Sequence, residues 1–116
     1  MKEELEKKLL EKYPKIIQCG LAIGDGWYFI LDTLCMSLQS DTDNNRAPQV
    51  RAVQIKEKFG GLRFYVDGGN EKQYGMIWLA EAMAGRTCEK CGTTKDVKRR
   101  GKSWVKTLCG KCNEEW

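Results

Sequence analysis

The sequence predicts an α+β fold: an antiparallel β-hairpin packed with about three helices, followed by a small cysteine-knuckle module at the C-terminal end. Three observations carry that prediction. Cys88-Glu-Lys-Cys91 and Cys109-Gly-Lys-Cys112 are two C-x2-C pairs separated by 17 residues. Two alternating runs flank Gly60-Gly61 between Val50 and Val66. Apolar residues recur at helical spacing in three further segments, near residues 2–13, 26–38 and 71–84. With 116 residues, 41% hydrophobic and 31% charged, the chain is long enough for a core domain over residues 1–85 and a module over residues 86–116.

The cysteines are the strongest signal. Two residues between paired cysteines let a tight knuckle aim both thiolates at one metal, and two knuckles complete a tetrahedron. The chain has no histidine, so the expected ligands are Cys88, Cys91, Cys109 and Cys112 around one Zn2+. A closed four-thiolate site has no open coordination position, which makes its expected role structural. Two disulfides or four ordinary thiols are the alternative. The hairpin between the knuckles, turning near Arg100-Gly101-Lys102, makes the module zinc-ribbon or treble-clef-like. Only four residues follow Cys112, which predicts too little chain for the helix that completes a full treble clef. Cys19 and Cys35 stand apart and read as small buried hydrophobes.

Taken in order, residues 2–13 predict an amphipathic helix. Leu5, Leu9 and Tyr13 line one face, Glu3 and Glu4 precede Lys7 and Lys8 by four residues, and Pro14 stops it. Asp25 predicts an N-cap for a second helix from Gly26 or Trp27 to about Leu38, with Trp27, Ile30, Leu31, Leu34, Cys35 and Leu38 as its stripe. Gly24-Asp25-Gly26 invites a phosphate-loop reading. It lacks the full glycine fingerprint and the Lys-Ser/Thr pair, and an acidic cap competes with an anion, so the cap reading is preferred. Residues 40–49 predict a polar loop without the glycine and terminal glutamate of an EF-hand. Asn70 predicts the cap of a third helix over about Glu71–Ala84, ended by Gly85. Its expected stripe is Met76, Leu79, Ala80 and Met83, widened by Tyr74, Ile77 and Trp78.

The stretch Val50–Val66 predicts a hairpin turning at Gly60-Gly61. That turn opposes Phe59 to Leu62, Lys58 to Arg63, Glu57 to Phe64, Lys56 to Tyr65 and Ile55 to Val66. Alternation then puts Val53, Ile55, Phe59, Leu62, Phe64 and Val66 on a core face, and Gln54, Lys56, Lys58, Arg63 and Tyr65 on the other. The second face is the first candidate binding site. Its cations suit phosphate, Tyr65 suits stacking on a base, Gly60 and Gly61 allow close approach, and Trp27 is a further candidate contact. The bland alternative is the solvent face of an antiparallel sheet. A second candidate surface is the module hairpin, where Lys98, Arg99, Arg100 and Lys102 cluster with Trp104 on the return strand. There the bland alternative is a solvated tip with Trp104 closing the metal core.

Charge follows the same division. Residues 1–85 hold 11 Lys and Arg against 12 Asp and Glu, whereas residues 86–116 hold 9 against 4. One zinc with four thiolates carries −2, which leaves the tail at about +3. No apolar run reaches membrane-spanning length, and Met1-Lys-Glu-Glu-Leu-Glu lacks an apolar signal region, so an intracellular protein is expected.

Three segments resemble a group of small bacteriophage and bacterial proteins: Ile23-Gly-Asp-Gly-Trp-Tyr-Phe-Ile-Leu-Asp-Thr-Leu-Cys35, Gln54-Ile-Lys-Glu-Lys-Phe-Gly-Gly-Leu-Arg-Phe-Tyr65 and Trp104-Val-Lys-Thr-Leu-Cys109. The likeness covers most of residues 19–112 and carries over no activity and no functional residue. It implies a setting: a phage or prophage accessory gene expressed in the cytoplasm of an infected or lysogenic bacterium, of the kind that counters host defence or adjusts host transcription.

The residues argue against an enzyme, because histidine is absent and Asp25, Asp32 and Glu57 lack recognisable catalytic partners. The favoured expectation is a protein that binds and sequesters, without catalysis, a small anionic ligand such as a nucleotide or cyclic-nucleotide signal. The alternatives are a nucleic-acid-binding zinc-ribbon protein and a protein-binding inhibitor of a host factor. A homodimer is compatible with each.

Overall fold

The computed structural model describes residues 1–116 and has the α+β architecture expected, with four helices and two small sheets. Helix α1 spans Glu3–Lys12, with Glu3, Glu4 and Glu6 in its first turn and Lys12 in its last, the order the helix dipole favours. Strand β1 is the two-residue Leu21–Ala22, and a 3-10 turn over Asp25–Trp27 leads into helix α2, Tyr28–Asn45. Strands β2, Arg51–Lys58, and β3, Gly61–Asp67, form the hairpin, and β1 pairs with β2 in parallel at its edge. Helix α3 spans Glu71–Ala84, closed by a capping box in which Asn70 and Gln73 satisfy each other's backbone N–H groups.

Two expectations about α2 are corrected. Asp25 does not cap it; its Oδ1 instead accepts the backbone N–H of Lys2 at 2.8 Å, at the start of α1. The helix also continues through most of the predicted loop. Its polar residues bond along the helix, Asn44 to Ser40, Asn45 to Asp41 and Gln39 to Asp43, so they support further turns rather than compete with them. Buried Asp41 also takes Lys72 of α3 at 3.0 Å. Arg46, in the left-handed region at φ 62°, ends the helix.

The hairpin turn lies one residue earlier than expected, which shifts every cross-strand partner by two. The turn is Phe59-Gly60, with φ of 53° and 80°, both positive as a tight primed turn requires. Lys58 therefore opposes Gly61, Glu57 opposes Leu62, Lys56 opposes Arg63 and Ile55 opposes Phe64. A bulge between Ala52 and Gln54 turns Val53 outward. Of the expected core face, Ile55, Leu62 and Phe64 are buried; Val53 and Phe59 are exposed, and Ala52 takes a core place.

Twenty buried residues form the main core, drawn from α1, the β1 edge, α2, the hairpin and α3. On α3 the buried stripe is Gln73, Ile77, Ala80 and Ala84, with Leu79 and Met83 exposed, so the expected stripe is rotated. A second, smaller cluster consists of Cys88, Leu108, Cys109 and Cys112 with Val97 against it. Strands β4, Val97–Arg100, and β5, Lys106–Cys109, pair antiparallel, and helix α4, Gly110–Glu115, follows at once. That short helix is a further correction: it starts between the two cysteines of the second knuckle, so few residues after Cys112 are needed. No helix is long and apolar enough to cross a membrane.

Candidate metal centre and basic seam

The two knuckles meet as their spacing predicts. One Sγ from each of Cys88, Cys91, Cys109 and Cys112 lies within 4.8 Å of all the others. Cys91 and Cys109 approach to 3.8 Å, the edge of a tetrahedron with metal–sulfur bonds of about 2.3 Å. All six cysteines of the chain are free thiols. The donor set therefore fits a metal ion. Local structure aims the ligands: Gly92, at φ 84°, turns the first knuckle and donates its N–H to Cys88 O, while Cys109 Sγ accepts the N–H of Cys112 and caps α4. Burial alone would raise the Cys88 thiol, but the backbone N–H groups of Cys91, Cys109 and Lys90 outweigh it and bring it to about 6. Burial and the neighbouring thiols push Cys112 up to about 12. Four thiols this close resist ionising together unless a cation joins them.

The module is seated on the core by backbone contact. Gly26 N donates to Glu89 O at 2.7 Å, and Gly24 N donates to Glu89 Oε2 at 3.0 Å. A Cβ on Gly26 would lie 2.0 Å from Cys88 O, and one on Gly24 would lie 2.4 Å from Glu89 O. The Gly24-x-Gly26 spacing thus admits the first knuckle's backbone. Trp27, a candidate ligand contact in the sequence, is fully buried instead, its Nε1 donating to Thr87 O at 2.9 Å. Gly60 and Gly61 are likewise covered: Thr107 Oγ1 of β5 donates to Gly60 O, and a Cβ on Gly60 would meet that Oγ1 at 3.0 Å. The close approach these glycines allow is made by the module.

An ion cluster closes the same seam. Lys106 Nζ lies 3.0 Å from Glu57 Oε1 and 3.6 Å from Glu89 Oε1. Burial lowers the Lys106 ammonium, but Glu57 and Glu89 outweigh it and hold its pKa above the ordinary value. Burial raises the Glu89 carboxyl despite Lys106, and its Oε1 has no hydrogen-bond partner.

The structure brings one residue of each sequence-predicted basic surface together, Arg63 and Arg99. Gln54, Lys56, Lys58, Arg63 and Tyr65 do share the outer face of β2–β3, with Gln54 opposite Tyr65 and Lys56 opposite Arg63. Arg99 on β4 pairs with Thr107 and so reaches the seam. The point a Cβ on Gly61 would occupy lies 3.1 Å from Arg63 Nη1 and 3.6 Å from Arg99 Nη2. None of Lys56, Lys58, Arg63 and Arg99 enters an ion pair. Lys98 and Lys102 are exposed, whereas Arg100 is half-buried and donates to Leu108 O and Asp96 O. Trp104 is exposed in the connection rather than on the return strand, so it does not close the cysteine cluster. The principal cavity, about 610 Å3, lies elsewhere, between the N-terminal residues and the module. Its lysines are already engaged: Lys2 with Asp25, Lys90 with Glu115 and Lys106 with Glu57 and Glu89.

No protein-family model, curated protein or solved structure matches this chain. Sequence reasoning misses the union of Arg63 with Arg99. The available signal is Gly60-Gly61, two adjacent glycines where the hairpin turn needs only one.

Proposed function

We propose that the protein is a non-enzymatic nucleic-acid-binding protein. One Zn2+ in the four-cysteine site holds β4–β5 against the core, so that both hairpins present one basic surface to a phosphate backbone. The observation that carries it is the meeting of Arg63 and Arg99 beside Gly61, with no carboxylate paired to either. Lys56 opposite Arg63 adds a like-charge cross-strand pair, which costs stability in the free protein. Phosphates would relieve that repulsion and draw affinity from it. Exposed Phe59, Tyr65 and Trp104 supply rings on which bases can stack.

A sequestered small anion is less well supported. Compact ligands are held in concave sites, whereas the unpaired cations lie on a sheet face and the large cavity's lysines are matched by acids.

The test is fluorescence anisotropy of the metal-loaded protein with a labelled single-stranded oligonucleotide at several salt concentrations. Arg63→Glu with Arg99→Glu should weaken binding at least about 10-fold and flatten the salt slope by about 0.7 for each phosphate no longer neutralised. Unchanged affinity in that double variant would overturn the reading. A mononucleotide binding as tightly as the oligonucleotide, without salt dependence, would return the small-ligand reading.

A further inference from the structure

Helix α3 is apolar on more sides than its own chain covers. Between Lys72 and Arg86 its sequence holds one charged residue, Glu81, and that carboxylate is used internally, accepting Phe64 N at 2.9 Å. Gln73, Ile77, Ala80 and Ala84 face the core. The opposite side leaves Trp78 72%, Leu79 57% and Met83 48% exposed, and Phe29 and Met36 of α2 extend the surface at 72% and 55%. A helix apolar all round is normally buried all round.

We propose that the outer face of α3, with the adjoining edge of α2, is a two-fold interface occupied by a second copy of this chain. Three features of the face fit that occupant. Its five large side chains expose roughly 500–600 Å2, taking about 150–250 Å2 for a whole aromatic side chain, most of the about 800 Å2 that each partner gives to a standard interface. The face is uncharged, so two copies of a protein of net charge +4 meet there without opposing like charges. It also carries ridge and notch together, which a self-complementary contact requires. Trp78 and Leu79 project beside Gly75 and Ala82, and a Cβ on Gly75 would meet nothing within 4 Å. A glycine in mid-helix costs about 1 kcal/mol against alanine, and no packing within the chain needs it. Close approach of a symmetry-related helix does. Between α2 and α3 the same face opens a groove of about 160 Å3, lined by Phe29, Leu79 and Met83 among others, near the size of an about 150 Å3 cavity that accepts a benzene ring.

Sedimentation equilibrium of the metal-loaded full chain tests this. The wild type should sediment at twice 13.3 kDa at micromolar concentration. Trp78→Lys should raise the dimer dissociation constant about 30-fold or more, as removal of a central aromatic anchor does, with metal content and circular dichroism unchanged. Gly75→Leu gives a second route: it fills open space in the monomer, so it should leave the fold intact while also shifting the equilibrium to monomer. A wild type that stays monomeric at tens of micromolar would overturn the proposal and assign the face to a different partner. A dimer indifferent to both substitutions would overturn it as well.

Discussion

The core and the cysteine module are held together by different means. The core buries twenty residues in one cluster and engages every helix and strand from α1 to α3. The module's cluster has four buried residues, three of them the cysteines Cys88, Cys109 and Cys112. A core of that size cannot offset the conformational entropy of about thirty ordered residues. The module therefore rests on its four-cysteine cluster, which fits a metal ion, and on the seam, where Gly24, Gly26 and Gly60 admit its backbone and Trp27 reaches into it. A basic surface spanning both regions depends on the weaker one staying docked.

Removing the metal should separate the two regions most widely. Cys109→Ser takes away a buried ligand and the cap of α4. The structural zinc proposed above would contribute about 10–16 kcal/mol, as it does in small zinc-finger peptides, so the module should unfold while the core persists. Hydrogen exchange should show residues 86–116 losing protection, with slow amides retained in α2, β2 and β3. Loss of all protection at once would mean that the core cannot stand without the module.

The seam gives a smaller and more local test. Gly26→Ala sets a methyl 2.0 Å from Cys88 O and 2.6 Å from Gly92 N, both backbone atoms that cannot swing away. Overpacking of this kind costs about 1–3 kcal/mol. The variant should keep its metal but lose the Gly26 N–H bond to Glu89 O, and Trp27 fluorescence should shift to the red as the indole meets water. Metal loss with an unshifted Trp27 would place the strain in the knuckle rather than in the seam.

How much of this is legible in the sequence depends on whether the cause is local. The four cysteine ligands rest on spacings of three residues and the capping residue Asn70 on its place just before an apolar-periodic run, and the structure has both where they are expected. The hairpin is visible but its register is not, because Phe59-Gly60 and Gly60-Gly61 both offer a turn; Glu57, whose Oε2 accepts Gly60 N at 2.7 Å, favours the first. The end of α2 reads as loop because its polar residues look like breakers until their i to i−4 bonds are seen. Strand β1 is only two residues long and shows no alternation. The stripe of α3 is misplaced by pattern because a helix apolar on several sides has no single preferred face. Of the union of Arg63 and Arg99 the sequence carries only the doubled Gly60-Gly61; which element approaches is not legible, since that depends on Thr107 bonding Gly60 across 47 residues of sequence.

The smallest expected effect isolates the core from the module. Asp32 on α2 accepts from Lys12 Nζ at 2.8 Å and from Tyr13 Oη at 2.7 Å, tying α1 to α2. The Lys12 hydrogen bond, with a further contribution from Tyr13, holds the Asp32 carboxyl below its ordinary value. A carboxyl depressed in the folded state contributes stability above its unfolded pKa of about 3.9 and loses it as pH falls through the lower folded value. Asp32→Asn should therefore cost about 0.5–1 kcal/mol at neutral pH, the scale of a partly exposed pair, and the difference from wild type should close below about pH 4. Thiolate protonation releases metal as pH falls and would mask so small a term. Urea denaturation across pH in the metal-free Cys109→Ser background removes that contribution. If the two curves stay parallel down to the acid limit, the Lys12–Asp32–Tyr13 tie does not stabilise the core, and α1 is held by the burial of Leu9 and Tyr13 and by the Lys2–Asp25 and Leu21–Glu6 hydrogen bonds.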